Sequence, residues 1–461
     1  MAIRLDVTNL VALGAAAAGV PVAAFEGARD RFRAAQAHLE AQHAAGVLGF
    51  LDLPGNAALL AQSVDFAAAR RGRYRDVVVL GIGGSALGPI ALRTALRPAG
   101  WNTLSDAQRD GWPRLHVLDN VDPRTISALL ASLDLRTALF IVTSKSGGTG
   151  ETMAQFLVVR DRLATAGLPV ASHLVFVTDP VKGALRAISL REGIPALDVP
   201  SNVGGRFSVL TPVGVLPAAL VGIDVGAMLA GAGDMVSRCA TNDLMRNPAG
   251  AFATLQWLAD TTQGRHVHVL MPYRDALRDM AAWFVQLWAE SLGKVQPGGA
   301  NVGPTPVPAL GATDQHSQVQ LFMEGPQNKT VTFITTAGHD ADVTIPGAYA
   351  DIEELGYLAG HTLGDLLDVE RVATAGALAK RGRPSMTITL DHVDAWHMGA
   401  LFTLFGIATV YGGHLYGVNP LDQPGVELGK QYTFAKLGRA GYDAARVEFD
   451  GLPIPDPRWV I

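Results

Sequence analysis

Ala138-Leu139-Phe140-Ile141-Val142, followed after Thr143 by Ser144-Lys145-Ser146-Gly147-Gly148-Thr149-Gly150-Glu151-Thr152, is the stretch that decides how this chain folds. The first run is short, apolar and without alternation, which predicts a strand buried on both faces. The second is a strand-to-helix turn, with a helix expected from about Met153. Hydroxyls, glycines and one lysine at such a turn suit a doubly charged anion. Helix-start N–H groups point outward, the hydroxyls add donors, and glycine lets a ligand approach the backbone. An ordinary capping loop also uses Ser and Thr. Four hydroxyls, on Ser144, Ser146, Thr149 and Thr152, exceed what capping needs, so phosphate binding is the expectation.

Asp76-Val77-Val78-Val79-Leu80, Leu115-His116-Val117-Leu118 and His173-Leu174-Val175-Phe176-Val177 repeat the pattern, with helical stretches between them. Strands of this kind spaced by helices imply a parallel sheet covered on both faces. The same grammar restarts at Val267-His268-Val269-Leu270 and continues through Thr330-Val331-Thr332-Phe333-Ile334-Thr335 and Ser385-Met386-Thr387-Ile388-Thr389-Leu390. Helices are expected over residues 276–292 and 393–410. The fold class is therefore α/β: two three-layer αβα subdomains with parallel-rich sheets and helical flanks. Residues 1–71 form an N-terminal helical segment, 72–235 the first subdomain, 250–435 the second and 436–461 a C-terminal tail. A ligand site between the sheets, at the carboxyl ends of their strands, is the default for this architecture.

Bulk properties narrow the class. The 461 residues are 49% hydrophobic and 17% charged, as in a soluble, well-packed protein. The net charge of −5, with no block of basic residues, argues against a nucleic-acid partner. One cysteine, Cys239, excludes an internal disulfide and fits the cytoplasm. Residues 10–25 are alanine-rich and look like a secretory segment, but Asp6 lies near Arg4 ahead of them, and Gly14, Gly19 and Pro21 interrupt them. A loosely packed helix with its turn is expected there. Residues 398–411 are shorter than a membrane span needs and read as a core helix, so no membrane partner is expected.

Further motifs carry chemistry. Gly81-Ile82-Gly83-Gly84-Ser85-Ala86 fits a loose dinucleotide fingerprint, yet the nearest acidic partner, Asp119, lies well beyond the usual spacing. Its glycines are better suited to bring Ser85 and nearby N–H groups to the same anion. Gly204-Gly205-Arg206 offers a guanidinium fork at a tight turn, suited to a phosphate or a developing enolate-type oxygen; an exposed loop arginine is the competing reading. Gln286 and Glu290 are four apart and share a face of an otherwise apolar helix. Desolvation there suits a general base, against the bland reading of a solvated polar stripe. His316 is a candidate proton shuttle. Lys430, on the first turns of a helix, opposes the dipole, so another interaction is expected to hold it. No metal site is expected, because His266 and His268 lack partners at zinc-ligand spacing.

Together these segments resemble the glucose-6-phosphate isomerase family, in its shorter bacterial type. The resemblance runs over residues 76–430 and rests on Gly81-Ile82-Gly83-Gly84-Ser85, residues 144–152, Ser201-Asn202-Val203-Gly204-Gly205-Arg206-Phe207-Ser208, residues 286–294, Gln315-His316 and residues 422–430. It implies two sugar-isomerase subdomains, no cofactor, and interconversion of glucose 6-phosphate and fructose 6-phosphate in glycolysis and gluconeogenesis. It also implies that Ser85, Ser144, Lys145, Ser146, Thr149 and Thr152 hold the phosphate, while Gly84, Gly205, Gln286 and Gln423 meet the sugar. Glu290 would carry a proton between C2 and C1 through a cis-enediol, Arg206 would stabilise the enediolate, and His316 and Lys430 would assist ring opening. A homodimer is implied, with the histidine supplied by the neighbouring subunit. The chain departs from the family pattern at Leu421, where an aromatic residue is usual, at Pro424, and at Gly311-Ala312-Thr313-Asp314. Gln423 favours narrow specificity over a variant that also accepts mannose 6-phosphate. A non-catalytic sugar-phosphate sensor would need neither Glu290 nor Arg206.

Overall fold

A computed structural model of the chain describes residues 3–12 and 18–461. Five parallel strands form the first sheet, in the spatial order Arg114–Leu118, Asp76–Leu80, Ala138–Thr143, Leu174–Thr178, Ala196–Asp198. Its three central strands are buried along their whole length, as unbroken apolar runs require when both faces are covered. The chain places its second strand on one side of Asp76–Leu80 and its third, fourth and fifth on the other. The winding therefore reverses between Asp76–Leu80 and Ala138–Thr143. Turns leaving the carboxyl ends of these two strands, at residues 81–85 and 144–149, open onto one crevice.

The second sheet has the order Ile3–Asp6, Ser385–Leu390, Lys329–Thr336, Val267–Pro272, Thr305–Pro308. Its last four strands run parallel, and Ile3–Asp6 joins antiparallel at the edge. Two of these strands are unforeseen. Thr305–Pro308 lies in a glycine- and proline-rich stretch, and its prolines are tolerable because it is an edge strand. Ile3–Asp6 adds a strand to the segment over residues 1–71 expected to be helical. A short parallel pair, Val11–Ala12 with Val20–Pro21, replaces part of the helix expected over residues 10–25, and helix begins only at Val22–Gly27. Residues 13–17 of that expectation lie outside the described residues. Helices Arg29–Ala44 and Ala57–Ala68 occupy much of the remaining segment, and the tail carries one more, Asp443–Asp450.

The helix Ala395–Tyr416 has 22 residues and is long and apolar enough to cross a membrane. It is longer than expected, and residues 397–413 are buried inside the fold, as a helix that is hydrophobic all round must be. The helix Arg278–Leu292 beds against it through an aromatic cluster: Phe405 lies 4.9 Å from Phe284, which stacks at 5.4 Å on Trp288. That bedding fixes the helix that carries Gln286 and Glu290.

Candidate active site

At the first sheet's crevice three hydroxyls converge. Ser144 Oγ lies 2.8 Å from Thr149 Oγ1 and 3.4 Å from Ser146 Oγ. Thr149 is the N-cap of the helix Gly150–Thr165, yet its side chain makes no capping bond. The hydroxyls therefore face one another, and the helix-start N–H groups keep their capacity for an anion. The Thr152 hydroxyl is buried and has no hydrogen-bond partner among the described residues. Gly147 holds φ +67° and packs so closely that a methyl group there would fall 3.1 Å from Gly183 Cα. Lys145 turns away from the hydroxyls and donates to the Ser201 carbonyl at 2.8 Å. Burial pulls its ammonium below the usual lysine range, with Asp179 opposing. Lys145 thus ties the hydroxyl loop to the segment that leads to Arg206.

The Gly83–Ser85 turn joins the two halves of the site. A methyl group at Gly84 would collide with the Gly205 carbonyl oxygen, and one at Gly83 would fall 2.7 Å from Gln286 Nε2. Only glycine permits this approach of backbone to backbone. It brings Ser85, the Arg206 turn and the helix Arg278–Leu292 into contact.

Arg206 is 6% exposed and sits at the centre of that contact. Its Nε donates to Ser291 Oγ (3.0 Å), Nη1 to Gln423 Oε1 (2.9 Å), and Nη2 to the carbonyls of Pro420 (2.9 Å) and Asp422 (3.0 Å). Nη1 also lies 3.2 Å from Glu290 Oε2. Burial pulls the guanidinium below its ordinary value and Glu290 resists the shift, while arginine remains charged throughout. Glu290 accepts from Gln286 Nε2 at 3.3 Å, one turn back on the same face. Its side chain is 26% exposed, so it opens toward the crevice and is not sealed in the core.

His316 ends the Thr313–His316 turn and is exposed. Lys430 lies in the first turn of Glu427–Lys436, where Glu427 Oε1 holds its ammonium at 2.7 Å and offsets the helix dipole. That helix leans on the hydroxyl loop, with Phe434 against Gly150. Neither His316 nor Lys430 bonds to Arg206 or Glu290 within the chain.

The family model for phosphoglucose isomerase matches residues 61–450. This chain belongs to the phosphoglucose isomerase family. The glucose-6-phosphate isomerase of Rubrobacter xylanophilus is 48% identical over 86% of this chain and 90% of its own. That of Carboxydothermus hydrogenoformans is 41% identical over the full length of both. A crystal structure of a hypothetical protein from Thermus thermophilus superposes with a TM-score of 0.82 at 37% identity, covering 95% of this chain and all of that one. The phosphoglucose isomerase fold is thereby the fold of this chain, and its α/β class with parallel-rich sheets and helical flanks agrees.

Two site residues carry no role in the sequence reading. Ser291 accepts from Arg206, and Lys294 donates to the carbonyls of Glu290 and Ser291 at 2.8 Å each. Lys294 also lies 3.7 Å from Asp422 Oδ1. A lysine just past a helix end is a recognisable capping signal. Ser291 gives none, because its importance depends on an arginine 85 positions away.

Proposed function

We propose that this chain is an aldose–ketose isomerase that interconverts glucose 6-phosphate and fructose 6-phosphate in glycolysis and gluconeogenesis. The observation that carries the proposal is the Glu290 carboxylate against the Arg206 guanidinium, whose turn packs glycine-to-glycine on the Ser85 turn and is tied through Lys145 and Ser201 to a loop of converging hydroxyls. Family membership supports the same reaction.

In this reading the phosphate rests on Ser85, Ser144, Ser146, Thr149 and Thr152 and on the N–H groups of the helix start. Lys145 braces that loop. Pinning the dianion fixes the sugar's far end and turns proton transfer into an intramolecular event. Glu290 takes the proton from C2 of the open-chain aldose. The C2–H electron pair becomes the C1–C2 double bond, and the carbonyl electrons move to O1. Arg206 stabilises that oxygen's charge, which is largest near the transition state. O1 takes up the proton that O2 gives up, Glu290 returns its proton to C1, and the O2 electron pair re-forms the carbonyl at C2. The amide oxygen of Gln286 and the amide nitrogen of Gln423 would meet sugar hydroxyls, and Gly205, with open space where a Cβ would stand, together with the backbone of Gly84 would lie along the sugar chain. His316 and Lys430 move protons at the ring oxygen and the C1 hydroxyl during ring opening. No cofactor or metal takes part.

The reading includes a cytoplasmic homodimer in which each His316 serves the neighbouring subunit's site. Its support is that His316 makes no bond to Arg206 or Glu290 within one chain. A sugar-phosphate sensor would have no use for the Arg206–Glu290 pair. Purified protein supplied with fructose 6-phosphate should yield glucose 6-phosphate, detected by a coupled dehydrogenase. Absence of product from folded protein would overturn the proposal.

A further inference from the structure

The turn that carries His316 is clamped from beneath by a single buried tyrosine. Tyr273 follows the strand Val267–Pro272 and is anchored by its own N–H, which donates to the Ile334 carbonyl at 2.7 Å. Its ring is fully buried and packs edge-on against Phe333, with centroids 5.7 Å apart. A methyl group at Gly311 would collide with that ring, so the start of the turn lies directly on the aromatic side chain. At the turn's other end the Tyr273 hydroxyl donates to Gln315 Oε1 at 2.5 Å. Thr374, on the helix Leu363–Lys380, donates to the same oxygen at 3.1 Å. Between these points Asp314 closes the turn on itself, with Oδ2 accepting from the Leu310 N–H at 2.7 Å.

We infer that Tyr273 is a positioning residue for His316, acting through Gln315 to fix the turn from which the histidine projects. The inference rests on the reading of His316 as a ring-opening group. Burial raises the phenol's affinity for its proton, so the hydroxyl remains a donor to Gln315 across the working pH range. A buried tyrosine needs some acceptor for its hydroxyl. Here the acceptor is the residue next to His316, and the ring supports the other end of the same turn. Ring and hydroxyl thus define the histidine's position from two directions.

A double-mutant cycle tests this with the full-length protein. Tyr273→Phe keeps the ring and removes only the hydroxyl. We expect kcat on fructose 6-phosphate to fall about tenfold, with KM within about twofold, since small misplacements of a proton-moving group act on turnover. In a His316→Ala background, Tyr273→Phe should cost nothing further. Gln315→Met removes the acceptor without touching the core and should behave the same way, which keeps the cycle usable if Tyr273→Phe fails to fold. An unchanged kcat, or an equal fractional loss with and without His316, would overturn the inference alone. Full activity of His316→Ala would overturn the reading of His316 and this inference with it.

Discussion

Arg206 Nη1 stands 3.2 Å from Glu290 Oε2, and the guanidinium's other donors are committed to Ser291, Gln423, Pro420 and Asp422. The arginine is therefore immobilised before any substrate arrives, which is the condition for stabilising a charge without reorganisation. The carboxylate beside it is part-exposed and backed by Gln286.

Glu290→Gln keeps the shape and removes the base. Turnover should fall about 10²–10⁴-fold, the range that general acid–base groups supply. Substrate affinity, measured by calorimetry, should stay nearly unchanged because the hydroxyl loop is untouched.

Arg206→Lys replaces a planar fork by a single ammonium that cannot reach all five partners. The carbonyls of Pro420 and Asp422 would lose their donor inside the protein, at a cost of about 1–3 kcal/mol. Both kcat and the urea midpoint should drop, and a variant with unchanged stability would show that these bonds are unimportant.

Ser144→Ala combined with Thr149→Ala removes two of the three converging hydroxyls. KM should rise while turnover at saturation survives. An unaltered KM in steady-state assays would locate the phosphate elsewhere.

Gly84→Ala drives a methyl group into the Gly205 oxygen, forcing apart the Ser85 and Arg206 turns. Overpacking of this kind costs about 1–3 kcal/mol. Because the parted turns belong to the site, activity should fall by more than thermal stability alone explains.

The strand Val267–Pro272 bears His268, whose Nδ1 accepts at 3.1 Å from the indole N–H of Trp288, two residues before Glu290. Burial drives this imidazole's pKa from 6.5 down to about 4, with Asp260 opposing. Below pH 6.5 the unfolded chain takes up a proton that the native one refuses. Stability should therefore decline between pH 6.5 and 4, by about 1.4 kcal/mol per pH unit for this one group. Urea unfolding at pH 7, 6 and 5 should show that slope flattened in His268→Gln, and identical slopes would contradict it.

Much of this arrangement is readable before folding. Unbroken apolar runs announce the central parallel strands, and a four-residue interval puts Gln286 on the same face as Glu290. Thr305–Pro308 hides because proline and glycine carry the signals of a loop, and only an edge position makes the strand possible. Ile3–Asp6 hides because its partner, Ser385–Leu390, is nearly the whole chain away. The same distance conceals the bonds of Arg206 to Pro420 and Asp422, since no local pattern links residues more than 200 positions apart. The Tyr273–Gln315 contact is likewise a product of packing.

The most direct test follows fructose 6-phosphate in deuterated water by NMR at C1 and C2. A carboxylate that exchanges its proton with solvent during the enediol stage should place deuterium at C2 of the glucose 6-phosphate formed, and Glu290→Gln should form almost none. Isomerisation without any solvent deuterium at C2, unimpaired in Glu290→Gln, would contradict proton transfer through this residue.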